Sequence, residues 1–548
     1  MIDGRKIYMS DITHQESRDQ QITPAAAPPL APIVSDLINT YAEGTVMGKS
    51  GVGYNVSRTV SVLAVAFEKL RNAVEFRAEH LIRRAAIERI LKRRVILNGA
   101  AGSIAENLVT ELLWAKYIDS SFIDEAKVAE LTLIIDKYLV IRQTITAGHA
   151  DIPWDYVLGV AASEIEESLV SARKRQALLY FFYQAVSPKI KLAGVDEQQT
   201  NLITLVASER AYMQSDDALI SFHLTTLLLP EWTNNTKEVS GAAVSQFLKA
   251  AHTIRTTLIH PMTAPVFRYL RRQVPPFLLL RDFFFDAGPD VKTYVEDPKK
   301  LDEKLTELAI RRYNETGTKV RRAVVRSFIY IFLTKMIFAI ALEAPYDIYV
   351  TKKLALVPII VNMLFPPIML FLVAGLFSVP GEDNTRRLIE RIHKLIYHFD
   401  DVVHEKDSFS EKQKVRRPVL AGGFSLIYLA TFAITFGLIN IVLSMLQFSI
   451  PSKVIFVFFV ALVSFFAYRI RHSAKEYEMI DRQGLLEPFM DFFLMPVLQA
   501  GQFLSKEIAK INIFIFIFDF ILEAPLKTIF EVVEEWIRFV RLKKEEIV

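Results

Sequence analysis

Four long apolar stretches between residues 324 and 470 constrain this chain more than anything else in it. A helix needs about 20 mostly apolar residues to cross roughly 30 Å of hydrocarbon, because lipid offers the backbone no hydrogen-bond partners. The stretches 354–377 (LALVPIIVNMLFPPIMLFLVAGLF) and 418–446 (PVLAGGFSLIYLATFAITFGLINIVLSML) reach that length without a charge. The run 327–342 is shorter and carries Lys335; it spans only when Tyr346, Ile348 and Tyr349 continue it past Pro345. The run 454–468 needs Ile450 and its neighbours to complete it.

Charge gives an independent reading of orientation, since Lys and Arg collect in cytoplasmic loops. Arg311, Arg312, Lys319, Arg321, Arg322 and Arg326 precede the first stretch. Between the second and third stand Arg386, Arg387, Arg391, Lys394, Lys406, Lys412, Lys414, Arg416 and Arg417. Arg469, Arg471, Lys475 and Arg482 follow the fourth, whereas the opposite loops hold Lys352, Lys353 and Lys453. Nineteen against three predicts a cytoplasmic N-terminal domain, middle loop and C-terminal tail. The net charge is only +4, so these cations matter by position and not by sum.

The expected fold is all-α: a polytopic α-helical membrane protein of about four transmembrane helices with a large N-terminal cytoplasmic helical domain. Residues 1–33, with TPAAAPPLAP, read as a disordered Pro/Ala-rich arm. Residues 34–320 read as the cytoplasmic helical domain, 321–470 as the transmembrane domain with a loop helix over 385–405, and 471–548 as amphipathic or re-entrant helices. In the N-terminal part, 60–97 is a candidate helix stopped at Asn98-Gly99. Ser103 with Glu106, and Ser163 with Glu166, have the spacing of capping boxes, and Ser121 is a candidate cap. Residues 178–186 and 219–229 look like core helices, and the Pro-, Arg- and aromatic-rich run 261–290 suits a segment riding on headgroups. The first 30 residues have no apolar run of secretory-signal length, so the first span is the expected insertion signal.

The middle loop carries an amphipathic stripe of Leu388, Ile392, Leu395, Phe399 and Val402 with Arg387, Arg391 and Lys394 opposite. Such a helix packs on the N-terminal domain or lies on anionic lipid. Farther on, 485–504 is apolar but broken by Glu487, Pro488, Asp491 and Pro496; 511–522 has re-entrant length; 527–544 is amphipathic. The octapeptide FAIALEAP at 338–345 echoes FDFILEAP at 518–525, but the surroundings do not align.

Among chemical motifs, GTVMGKS at 44–50 imitates a phosphate-binding loop with one residue too few between its glycines, and reads as a flexible turn. The absence of Cys excludes disulfides, thiolate metal sites and a Cys nucleophile. His393, Tyr397, Asp400 and His404 share a helical stripe, with His398 and Asp401 beside it; a solvated polar face is the plainer reading than a metal site. Arg83, Arg84, Arg89, Lys92, Arg93 and Arg94 raise nucleic acid as a partner, but Glu79 and Glu88 interrupt them and no aromatic rhythm accompanies them, which favours a solvated or lipid-facing helix.

Lys335 is the most informative single residue, because an ionisable group near mid-span faces a bundle interior, a cavity or a partner carboxylate. The expected partners are Asp519 or Glu343, with Asn362 and Asn440 as further intramembrane polar groups, and the kinked second span bends at Pro358, Pro366 and Pro367. The expected function is a structural or docking platform in a bacterial inner membrane, with both termini cytoplasmic; the alternative is a transporter or channel subunit using Lys335. The expected partners are the bilayer, anionic lipid at the basic flanks, and a protein partner or self-association. No catalytic constellation, cofactor or metal site is expected, and no nucleic acid.

Overall fold

The computed structural model describes residues 30–43, 61, 64–69, 71, 79–96, 100–148, 152–233, 240–352, 356–375, 380–405, 409–412, 418–479 and 487–510, with positions 529, 532, 533, 535–537, 539, 540 and 543. Almost all of them are helical. Among the described residues the one sheet is a parallel pair of four-residue strands, Ile190–Ala193 and Phe409–Lys412, joining the N-terminal domain to the middle loop. The fold is therefore all-α.

The N-terminal domain is built on two large apolar clusters and a smaller one of Leu202, Val206, Ile220, Leu224, Ile254 and Leu258. The first gathers helices Glu79–Ile96, Ala101–Trp114, Glu125–Thr146 and Trp154–Leu169 around Leu108, Leu131, Ile141, Val157 and Phe247, all fully buried. Gly159 lets the last of these helices cross Asp217–Leu228, since a Cβ there would fall 2.9 Å from the Ala218 Cβ. The second cluster packs Pro32–Ala42, Arg173–Val186 and Thr263–Ala287 around Phe181, Phe182, Phe283 and Phe284.

Several local expectations change. Helix Ala101–Trp114 starts at Ala100 without a side-chain cap, so Ser103 lies inside it. Ser163 is likewise interior, donating to the Gly159 carbonyl at 2.9 Å. Asp124, not Ser121, caps Glu125–Thr146 by accepting from Lys127 N at 2.8 Å. A carboxylate adjacent to the first turn outcompetes a more distant hydroxyl for the free amides. The helix at the N-terminus begins at Pro32, whose fixed φ suits a first turn. Residues 44–50, 97–99 and 518–525 lie outside the described residues, and with them the phosphate-loop-like turn, the Asn98-Gly99 stop and the second octapeptide.

Apart from exposed Lys92, the cations of helix Glu79–Ile96 turn to protein and not to solvent or lipid. Arg83 meets Glu166 at 2.8 Å, Arg84 meets Glu88 at 2.7 Å and also Asp216, and Arg89 meets Glu68 at 3.0 Å. Lys92 pairs with Asp155, and Arg93 and Arg94 share Glu111, which is 1% exposed. Its cations tie helices of the domain together.

From the domain rises one helix, Pro298–Phe338, 41 residues and so about 60 Å long. Its first turns complete the second cluster with Leu301, Leu305 and Leu308, each fully buried, while Ile329, Tyr330 and Ile337 farther along are exposed. The boundary expected near 320 falls inside this stalk helix, which belongs to both halves. Two π-turns, Ala339–Glu343 and Asp347–Thr351, carry the helix past Pro345, as spanning length requires. The loop helix Glu382–Tyr397 lays Leu388, Ile392, Leu395 and Ile396 into the second cluster, so its apolar face covers protein.

Among the described residues three helices are long and apolar enough to cross a membrane: Pro298–Val350, Ser425–Met445 and Ile450–Ile470. Helix Leu356–Gly375 runs through Pro366 and Pro367, and its described apolar window, Val357–Phe371, is shorter. It packs between the stalk and helix Ile450–Ala474. Helix Glu487–Lys510 lies along the latter so closely that a Cβ on Gly501 would fall 2.1 Å from the Ala461 carbonyl oxygen. Only 11% of the Ser425–Met445 window is buried, leaving Leu426, Leu429, Leu438 and Met445 uncovered.

Candidate functional site

Within these apolar helices a polar cluster is sealed from solvent. Lys335, Glu343, Asp347, Asn362 and Ser452 are each 0–2% exposed. Lys335 comes from the stalk, Glu343 and Asp347 from its π-turns, Asn362 from the proline-bearing helix and Ser452 from the first turn of Ile450–Ala474. A π-turn widens the helix by one residue and re-aims the side chains after it, which brings Glu343 inward.

Asn362 is the hub. Its Oδ1 accepts from the Lys335 ammonium, and its Nδ2 donates to Glu343 Oε1 at 2.6 Å and to the Ser452 carbonyl at 3.2 Å. Ser452 Oγ donates to Glu343 Oε2 at 3.4 Å, and Ser449 Oγ donates to Ser452 Oγ at 3.0 Å. The ammonium also stands 4.3 Å from the centre of the Phe459 ring, a cation–π contact. A basic and an acidic side chain are thus bridged by one neutral amide that uses both ends of its dipole. The arrangement can hold charge in an apolar surround and relay a change on one side chain to the other.

Of the residues singled out from the sequence, the structure unites Lys335, Glu343 and Asn362. Asp519 lies outside the described residues. Asn440 is exposed and accepts from Lys453 Nζ at 3.1 Å. Ser452 and Phe459 gave no sequence signal, because an apolar run tolerates both without comment.

The histidine stripe does not assemble. The loop helix ends at Tyr397, His398 breaks the path with ψ 45°, and a new helix runs over Phe399–Val403. His393 Nε2 instead meets Asp302 of the stalk at 2.5 Å, His404 Nδ1 donates to the Asp400 carbonyl at 2.8 Å, and His398 lies 3.8 Å from Asp401. Among the described residues no group of three or more His, Asp or Glu could hold a metal ion.

Three further polar sites lie in the N-terminal domain and where the stalk and the loop helix pack on it. His223 stands between Glu167, 2.8 Å from its Nε2, and Glu209 at its Nδ1. Burial would push this imidazole down, but the Glu209 charge and the hydrogen bonds to both carboxylates lift it to about 10. At the base of the stalk, Asp282 accepts from Arg312 Nε at 2.7 Å and from the Tyr477 hydroxyl at 2.6 Å. Beside it Asn384 Nδ2 donates to the Tyr313 hydroxyl at 2.8 Å and to the Tyr477 carbonyl at 2.9 Å. Four separate pieces of chain meet there: Thr263–Ala287, the stalk, the loop helix and the segment after Ile450–Ala474. A second clamp holds the loop: Glu405 takes hydrogen bonds from Arg391 Nη2 at 2.9 Å and Lys189 Nζ at 2.7 Å. Burial alone would raise that carboxyl, but these two cations bring it to about 2.

No protein-family model, characterised protein or solved structure matches the chain.

Proposed function

We propose that this chain is a polytopic inner-membrane protein of a bacterium that holds a cytoplasmic helical domain rigidly against its membrane bundle, as a platform for a protein partner or a second copy. The carrying observation is the stalk Pro298–Phe338, one helix that is core to the cytoplasmic domain at one end and to the bundle at the other. The Asp282–Arg312–Tyr477 junction clamps it where the two parts meet. Apolar side chains uncovered along Ser425–Met445, and the nineteen-to-three charge bias, support placing the bundle in lipid with the large domain inside.

Because the chain has no Cys, single-Cys variants report position directly. A membrane-impermeant maleimide should label Tyr349→Cys in intact cells and Arg386→Cys only after permeabilisation; the reverse pattern would overturn the orientation. Spin labels at Ile310→Cys and Ile337→Cys, both exposed, should give one narrow distance near 40 Å. A broad distribution would remove the rigid stalk and the platform with it.

The second reading, a transporter or channel subunit, is favoured by the ionisable pair Lys335 and Glu343 inside the bundle. Their closure by Asn362, Ser452 and Phe459 supports a packed role more than a path. Proteoliposomes loaded with a pH dye separate the two: a proton or cation flux lost in Lys335→Met supports transport, and its absence in the native chain supports the platform.

A further inference from the structure

We propose that Arg268, Arg271 and Arg272 form a face that binds the phosphates of anionic lipid headgroups in the cytoplasmic leaflet. This rests on the membrane reading above and adds a lipid site on the cytoplasmic domain itself.

The three arginines stand at i, i+3 and i+4 on helix Thr263–Ala287, so they share one face. All three are exposed, while Val266, Leu270 and Val274 on the other side are buried in the domain core. None has a carboxylate partner among the described residues, unlike Arg281 on the same helix, which pairs with Asp282. The cations of Glu79–Ile96, by contrast, are matched by carboxylates. Arg271 lies over the Phe267 ring at 5.9 Å, which fixes its plane and leaves its N–H edge open.

Two independent relationships put this face at the membrane. Helix Thr263–Ala287 runs antiparallel to the stalk, with Asp282 on Arg312 and Asp286 on Lys304 and Arg311. Arg268 precedes Asp282 by 14 residues, and Arg326 follows Arg312 by 14. At about 1.5 Å per residue both steps are about 21 Å, which brings Arg268 level with Arg326, the last cation before the first apolar stretch. Separately, the Tyr269 ring lies 5.1 Å from that of Phe409, only nine residues before Pro418 begins the third apolar helix.

Guanidinium presents paired donors that match phosphate oxygens, and an anionic leaflet concentrates such groups at its surface. Each arginine near that surface should enrich anionic over zwitterionic lipid beside it by about fivefold.

The test uses the full chain in nanodiscs of phosphatidylcholine and phosphatidylglycerol. A bimane label on Ala264→Cys, exposed one turn before Arg268, is read against a small constant fraction of spin-labelled lipid, carried either on phosphatidylglycerol or on phosphatidylcholine. Quenching should be stronger from labelled phosphatidylglycerol than from labelled phosphatidylcholine, and the triple variant Arg268→Gln, Arg271→Gln, Arg272→Gln should lose that increment, with an unchanged melting temperature. The triple Lys variant should retain part of it. Equal quenching from the two labelled lipids, or in native and Gln proteins, overturns the proposal. So does loss of the increment in millimolar inorganic phosphate, which would make the ligand a soluble anion. Failure of the membrane reading looks different: the protein would not enter discs at all.

Discussion

Tyr477, just beyond helix Ile450–Ala474, donates its hydroxyl hydrogen to Asp282 of the N-terminal domain at 2.6 Å. The bond closes a loop of chain almost two hundred residues long, and Asp282 holds Arg312 of the stalk at the same time. Burial, and then the Asp282 charge, raises the phenol well above its ordinary range, so it remains a donor at any physiological pH.

Removing only the hydroxyl, in Tyr477→Phe, should cost about 1.5 kcal/mol, the worth of a hydrogen bond to a charged acceptor. Asp282→Asn leaves Arg281 without its carboxylate and Arg312 with Glu315 alone, and should cost more, about 2–3 kcal/mol after allowing for the one-third exposure of Arg312. Melting curves of the protein in detergent give the order. A larger effect from Tyr477→Phe would mean that Asp282 is not the centre of the junction.

Lys335 and Glu343 were legible in the sequence for one reason: a charge in an apolar run has few places to go. Their hub Asn362 was legible on the same ground. Apolar length and positive flanks likewise located the helices at Ile450–Ala474 and Pro418–Met445, and the stripe of Leu388, Ile392 and Leu395 foretold a buried face. What failed was reasoning that assumed a helix persists. His393 and His404 align only if the helix continues through His398, and it does not. What was missed depends on contacts distant in sequence: His223 with Glu167, or Asp282 with Tyr477, follow no spacing rule. The basic helix misled for the same reason, because Glu166, Asp216 and Glu111 come from elsewhere in the fold.

The Lys335–Asn362–Glu343 bridge predicts strong non-additivity. Lys335→Met leaves the Glu343 charge uncompensated and Glu343→Gln leaves the ammonium so; together they remove both charges while keeping Asn362 and the side-chain volumes. The double variant should recover on the order of 1–3 kcal/mol relative to the sum of the singles. Unfolding followed in detergent for all four proteins completes the cycle. Strict additivity would mean that Asn362 transmits nothing between the two.

His223 predicts a pH dependence of definite sign. Its folded-state value, about 10, lies above the ordinary 6.5, so its charge stabilises the fold fully below pH 6.5 and loses effect as pH rises through 10. That contribution is on the order of 4 kcal/mol as an upper bound, since the ring retains 16% exposure. The melting-temperature gap between the native protein and His223→Gln should therefore be widest near pH 6 and should close toward pH 10. A gap that widens with pH would contradict the paired imidazolium.

Gly501 sets how deep helix Glu487–Lys510 sits. Ala461, against which it lies, is near the middle of Ile450–Ala474, so the contact is at mid-height of that apolar helix and not at its end. Adding one methyl group, in Gly501→Ala, places a Cβ 2.1 Å from the Ala461 carbonyl oxygen and 2.7 Å from the Phe465 Cβ. Neither neighbour is the far end of a flexible chain, so the helices must separate, at a cost of about 1–3 kcal/mol. Gly437, within Pro418–Met445, has nothing within 4 Å of its own added Cβ, and Gly437→Ala should be neutral or stabilising by up to about 1 kcal/mol. Thermal denaturation of the two variants side by side separates a lost contact from a general intolerance of methyl groups in these helices. If both lose stability alike, the close approach of Gly501 to Ala461 does not hold helix Glu487–Lys510 in place.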